Sequence, residues 1–173
     1  KKQSRLVLDI AHAVGARGQP VHVAFIGDFI GGSTVDPRIA FNERIAELGL
    51  GTNVTVSGYI GPAEEVFAAL EACDAFAYLF AEGLTSRRGS VLTCLQTSRP
   101  VVVNAPKHSD EFTHHPSFRA ALEAGNLSLL PPDATPDDFA TRLIELQSRG
   151  TNEPSVAVGH GAFFRARNSS SVM

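Results

Sequence analysis

Five short and nearly unbroken apolar runs recur along the chain: Val21 to Gly27, Val54 to Gly58, Asp74 to Phe80, Pro100 to Asn104, and Leu127 to Leu130. Such runs, bounded by turn residues, fill the middle of a sheet that is buried on both faces. Between them the apolar residues return at helical spacing. Val7, Ile10, Ala11 and Val14 share one face until Gly15 and Gly18 end that helix; Phe41, Ile45, Ala46 and Leu48 mark a second, closed by Gly49. Val66, Phe67, Leu70 and Cys73 carry a third, with Glu64 and Glu65 in the first turn, where acids suit the helix dipole. Val91, Leu92, Cys94 and Leu95 carry a fourth, and Arg99-Pro100 stops it, because the residue before proline is pushed out of the helical region. Ala120 to Leu122 close a short helix, and Pro136 to Ser148 form a longer one with Phe139, Leu143 and Leu146 inward. Strands alternating with helices through short loops require right-handed crossovers. The pattern therefore predicts an α/β domain, a doubly wound parallel sheet with helices on both faces.

With 173 residues and 43% hydrophobic content, one domain with a full core is expected over residues 1–149. Residues 150–173 read as a polar tail or a helix cut short at Phe163-Phe164. The net charge of -3 and pI near 6.1 argue against a general nucleic-acid binder, so any phosphate recognition must be local. Cys73 and Cys94 sit in apolar helical pattern and are too few for a disulfide framework or a zinc site. No run approaches the roughly 20 apolar residues of a membrane span, and no signal-peptide pattern opens the chain. A cytoplasmic location without a membrane span is expected. Because Lys1-Lys2 lies almost inside the first helix, the sequence reads as an excised piece of a longer protein.

The stretch from Phe80 to Leu92 concentrates an acid, hydroxyls, two arginines and two glycines between a strand and a helix. It reads as an anion-binding turn. A helix start offers unpaired N–H groups and partial positive charge, which suit phosphate. Arg87 and Arg88 add planar donors that grip phosphate oxygens two at a time. A solvated loop whose arginines only maintain solubility is the alternative. Ligands of doubly wound sheets settle outside the carboxyl ends of the strands, near a switch in strand order. Gly27, Gly58, Phe80 to Glu82 and Asn104 all fall at such ends, which favours a ligand site.

In order and spacing, the chain from its first helix to about Arg149 resembles the carboxyl-terminal, donor-binding domain of a GT-B glycosyltransferase of the family 4 type, one Rossmann-like half of that architecture. The carriers are Phe25-Ile26-Gly27-Asp28, then Leu48-Gly49-Leu50 leading to Val54 through Ile60. They continue with Glu64 to Asp74 before an aspartate-led strand, Phe80-Ala81-Glu82-Gly83, and Arg99-Pro100-Val101-Val102. The resemblance implies a nucleotide-diphospho-sugar donor bound between two domains, retaining transfer without metal or other cofactor, and an amino-terminal acceptor-binding domain outside this sequence. It places the acidic residue that contacts the donor sugar on Glu82 and the base-holding loop on Tyr59 and Ile60. Gly83, Thr85, Ser86, Arg87, Arg88, Gly89 and Ser90 fall where the diphosphate departs and needs preorganised positive charge. Two departures stand out: the position of a ribose-binding glutamate holds Thr93, and the small residue ahead of the proline is Ser98 rather than glycine. The family's catalytic arginine and lysine would precede this sequence; Lys1 or Lys2 is either the end of that loop or plain surface.

Other candidates are weaker. His114-His115 are adjacent and have no acidic cluster, so they read as loop histidines rather than a metal pair. The absence of an Asp-x-Asp motif removes the main sequence reason to invoke a divalent ion. Gly31-Gly32 reads as a connector, and Asp110-Glu111 lies where the resemblance puts a loop near the donor. His22 reads as a satisfied strand residue. A second class of function is a non-catalytic relative that binds a nucleotide or a protein partner; turnover by the intact protein separates the two. A response-regulator-like module would need a strand-end aspartate cluster that is absent.

Overall fold

A computed structural model describes residues 2–29, 36–150 and 162–164. Gly31-Gly32, Lys1 and the rest of the tail lie outside the described residues. The elements in order are α1 (Lys2–Ala16), β1 (Val23–Phe25), α2 (Pro37–Glu47), β2 (Val54–Val56), α3 (Ala63–Glu71), β3 (Ala75–Tyr78), α4 (Gly89–Leu95), β4 (Val101–Asn104), α5 (Pro116–Glu123), β5 (Leu127–Leu130), α6 (Pro136–Gly150) and β6 (Ala162–Phe164). Every apolar run of the sequence supplies one strand. The strands of β1 and β2 are shorter than their runs, because Gly27 (φ 122°) and Gly58 (φ 70°) leave extended geometry and meet only in an isolated bridge.

The sheet order is β2-β1-β6-β3-β4-β5. Pairs β1·β2, β3·β4 and β4·β5 are parallel, so their carboxyl ends share one edge of the sheet. From β1 the chain steps outward to β2, whereas from β3 it steps the other way to β4 and β5. The order therefore reverses between β1 and β3.

The sheet is not wholly parallel, which corrects the expected all-parallel topology. Ala162–Phe164, expected in a polar tail or a cut-short helix, is a strand running antiparallel between β1 and β3. Three residues around a phenylalanine pair are too few to show either periodicity. In extended form they complete the backbone pairing of two strands that have no other neighbour on that side among the described residues.

The core follows from the periodicities. Val7, Leu8, Ile10, Ala11 and Val14 of α1 are buried, as are Phe139, Ala140 and Leu143 of α6, and these two helices pack together. Arg17 of the turn after α1 reaches Thr141 Oγ1 at 2.6 Å, which fixes the pair from outside. Arg44 of α2 holds Asp9 of α1 and Glu47 of its own helix. A second group forms where α4 meets α5. All of Ala75–Tyr78 and Val101–Asn104 is buried, as expected for strands covered on both sides.

Candidate ligand site at the carboxyl edge of the sheet

Beyond Tyr78, Leu79 and Phe80 stay buried and the chain turns sharply through Gly83, whose N–H donates to the Phe80 carbonyl at 3.1 Å. Gly83 sits at φ 73°, and a Cβ there would lie 2.0 Å from the Ala105 carbonyl oxygen. Only glycine allows this close approach of the β3 turn to the end of β4. The clamp is completed by Asn104, which is buried. Its Oδ1 accepts from Phe80 N at 2.9 Å, and its Nδ2 donates to Phe80 O at 2.7 Å. Leu84 N then donates to Asn104 O at 3.0 Å. The strand-end turn is thus rigidly tied to β4 before any functional side chain leaves it.

On this base stand the charged groups. Glu82 is exposed, and its Oε2 lies 2.6 Å from Lys107 Nζ in the loop after β4. The hydrogen bond and charge of Lys107 hold the Glu82 carboxyl below its ordinary range. Ser86 N donates to Glu111 Oε1 at 2.6 Å. Backbone and side-chain bonds from Ser86 depress the Glu111 carboxyl, helped by the nearby His108 and His115. The loop from Lys107 to Glu111 therefore crosses over the turn and contacts it twice.

The two arginines differ. Arg87 is exposed and makes no ion pair among the described residues. Arg88 lays its guanidinium over the Phe80 ring, 4.3 Å from the centroid, and its buried Nε has no hydrogen-bond partner among the described residues. That stack is a cation–π contact that shapes the turn. Thr85 is half-buried and accepts Arg88 N through its carbonyl at 3.1 Å. Gly89 N–H is already bonded to Arg87 O at 3.1 Å, so it is not an open donor, and α4 beyond it is only 7 residues long. Ser90 is exposed. Thr93, at the expected ribose position, donates its hydroxyl to Gly89 O at 3.0 Å within the helix.

Across the sheet, Tyr59 is 85% exposed and Ile60 half-buried beyond the end of β2. They share the carboxyl edge with Glu82 but are not brought against it. Three strand spacings, on the order of 14 Å, separate β2 from β3. Between them, at the end of β1, Asp28 accepts from Arg38 Nη2 at 2.8 Å and from Phe29 N at 2.7 Å, and both bonds lower its carboxyl pKa, the Arg38 bond more.

Lys107 and Asn104 were not marked by any pattern in the sequence beyond their places after a strand and at its end. Glu111 was marked only by the loop comparison. Among the described residues no group of three histidine, cysteine, aspartate or glutamate side chains is placed to hold a metal. Cys94 is buried, which pushes its thiol up to about 12, and the Tyr78 hydroxyl lies 3.2 Å from its sulfur. No helix among the described residues is long and apolar enough to cross a membrane. No family profile, curated protein or solved structure matches the chain.

Proposed function

We propose that the chain is the donor-binding half of a retaining glycosyltransferase of the GT-B class, taking a nucleotide-diphospho-sugar at the carboxyl edge of its sheet. The observation that carries this reading is the meeting of Glu82, Lys107 and the turn Thr85–Ser90 at the end of β3, beside the reversal of strand order. Crevices at such a reversal are where sheets of this kind bind ligands. The separate grouping of α1, α2 and α6, and of α4 with α5, supports a doubly wound, Rossmann-like arrangement.

The chemistry follows from the donors and acceptors present. Glu82, kept ionised by Lys107, accepts two hydroxyl hydrogen bonds from the donor sugar. Lys107 has two further N–H donors beyond the one used on Glu82, and Arg87 adds an unpaired guanidinium for the diphosphate. Arg88 holds the turn in shape through Phe80 and meets phosphate only with its outer edge. Tyr59 and Ile60 are far enough along the edge for the base end of an extended nucleotide. The acceptor side of the cleft belongs to another domain in this reading, so the chain alone shows no sugar transfer.

The test is calorimetric titration of the chain with UDP, GDP, ADP and free phosphate, repeated on Arg87→Ala and Lys107→Met. A nucleoside diphosphate binds, and each variant weakens it about tenfold, the worth of one charge-assisted contact. Binding unchanged by both substitutions would remove the turn from the site. Detectable sugar transfer by the chain alone would refute the half-cleft reading.

Thr93 favours a second reading. Its hydroxyl is used by Gly89 O, leaving the ribose position without a carboxylate or a spare donor. In that reading the domain is a non-catalytic relative, and the nucleotide binds without turnover even when the acceptor domain is supplied.

A further inference from the structure

The N–H groups of Gly83, Leu84, Arg88 and Gly89 in the turn after β3 donate to backbone carbonyls, those of Phe80, Asn104, Thr85 and Arg87 in that order. Ser86 differs. Its N–H donates to a carboxylate, Glu111 Oε1 at 2.6 Å, and its side chain adds a second bond to the same group. An amide and a hydroxyl converging on one carboxylate are donors that an oxyanion of any kind would use. In this fold the anion they hold is part of the chain.

Glu111 is delivered from a fixed point. Phe112 beside it is buried and stacks on Phe118 with ring centroids 4.8 Å apart, and Glu111 N donates to His108 O at 3.3 Å. The contact is not an ion pair that ties the loop by charge. Lys107 is taken by Glu82, Arg88 lies over Phe80, and Glu111 makes no ion pair among the described residues. A negative charge thus sits on the Ser86 donors of a turn that otherwise offers exposed cations, and like charges placed side by side repel.

We infer that Glu111 is a specificity-determining residue of the turn: its carboxylate fills the Ser86 donors as a resident anion and bars a free phosphate ion from them. The inference rests on the ligand site proposed above and sharpens it. With Ser86 occupied, a ligand phosphate is confined to the outer side of the turn, where Arg87 and Lys107 are exposed. There it needs the rest of a larger ligand to hold it. A small anion has no such remainder and is rejected, so the site takes a nucleoside diphosphate in preference to inorganic phosphate.

The test titrates the full chain with inorganic phosphate and with UDP, GDP and ADP by calorimetry. It is repeated on Glu111→Gln, which keeps an acceptor for Ser86 N but removes the charge, and on Glu111→Ala, which vacates both donors. Both variants bind inorganic phosphate about tenfold more tightly than the unaltered chain, and phosphate moves the Ser86 amide resonance in NMR spectra of the variants alone. If Glu111 only pins the loop, its removal loosens the segment that carries Lys107, and phosphate affinity stays equal or falls. Either result overturns the inference, as does an absence of phosphate binding in all three proteins. Should Glu111→Ala fail to fold, Glu111→Gln decides alone. Nucleoside diphosphate binding by the unaltered chain, with no gain of phosphate binding in the variants, overturns this inference and leaves the donor-binding reading standing. A gain of phosphate binding without any nucleoside diphosphate binding does the opposite.

Discussion

Lys107 Nζ lies 2.6 Å from Glu82 Oε2, joining the loop after β4 to the turn after β3. Neither side chain is buried, with 54% and 64% of their surfaces exposed, so solvent screens the pair and it does little for stability. Its consequence is orientation. The carboxylate is tied to the loop after β4 and held below its ordinary range, while the ammonium is brought to the place where the sequence shows only an acid and two arginines.

That relationship predicts a change in titration. In Lys107→Met the largest cause of the depression, the hydrogen bond, is gone, and the Glu82 midpoint rises toward its ordinary 4.5. The sign is fixed by the direction of the shift: a lowered carboxyl stabilises the fold above its unfolded value and loses that contribution as pH falls through the folded one. NMR titration of the Glu82 side chain reads the midpoint directly. A midpoint identical in the two proteins would mean the pair does not form in solution.

Gly83 and Gly58 both have positive φ, yet substitution should cost very different amounts. At Gly58 an added Cβ meets nothing within 4 Å, so Gly58→Ala loses only the left-handed backbone penalty of about 1–2 kcal/mol. At Gly83 the Cβ would stand 2.0 Å from the Ala105 carbonyl oxygen, and the backbone must shift. Gly83→Ala is expected to cost about 3 kcal/mol or more, since strain and overpacking combine. Urea unfolding of the two variants compares them, and equal losses would contradict the close approach of β3 and β4.

Ser98 sits at φ 60°, beyond the end of α4, with its N–H on Leu95 O at 3.2 Å. A non-glycine residue here carries the left-handed penalty that a helix-terminating glycine avoids. Ser98→Gly should therefore stabilise by up to about 1 kcal/mol, the gain being reduced by the larger entropy of glycine in the unfolded chain. A thermal melt that falls instead of rising would show that the serine side chain has a role the backbone does not reveal.

These positions also show what the sequence could and could not reveal. The apolar runs predicted β1 to β5; β3 and β4, buried along their whole length, have no polar alternation to dilute the signal, whereas the largely exposed edge strand β2 was marked only by its short Val-Thr-Val run. The helices followed from their spacing, and Phe139 and Leu143 fell inward as their pattern required. What joins the elements was harder to read. Lys107 and Glu111 reach Glu82 and Ser86 across 25 positions in each case, and a contact of that separation leaves no local pattern. Thr93 stands where the resemblance has a ribose-binding glutamate, and its hydroxyl turns back on its own helix, a local bond that short polar side chains often make. The strand Ala162–Phe164 was hidden for a different reason: it is extended only because β1 and β3 offer backbone partners on both sides, and propensity over three residues cannot signal that.

Asn104 offers the sharpest test of the clamp beneath the site. Its amide faces Phe80 with one acceptor and one donor, and both are used in a buried setting where its exposure is 2%. Asn104→Asp keeps the size but replaces the donor facing Phe80 O with a second acceptor. At neutral pH that puts a carboxylate against a carbonyl oxygen and should cost roughly 2–4 kcal/mol, the range for a buried group left without its partner. Burial raises the folded pKa of the new carboxyl above the unfolded value near 3.9. The folded state then binds more protons between the two values, so stability falls as pH rises through that window and recovers as pH is lowered. The protonated acid can donate to Phe80 O while its other oxygen accepts from Phe80 N, restoring both bonds. Urea unfolding at pH 7 and at pH 4.5 should therefore show the deficit against the unaltered chain shrinking at the lower pH. Asn104→Leu removes both side-chain bonds to Phe80 at any pH, leaving Phe80 O with the Gly83 N–H, and should keep a constant deficit. If the aspartate deficit is equally constant, the side chain at this position does not bracket Phe80, and the turn that carries Glu82 is held without it.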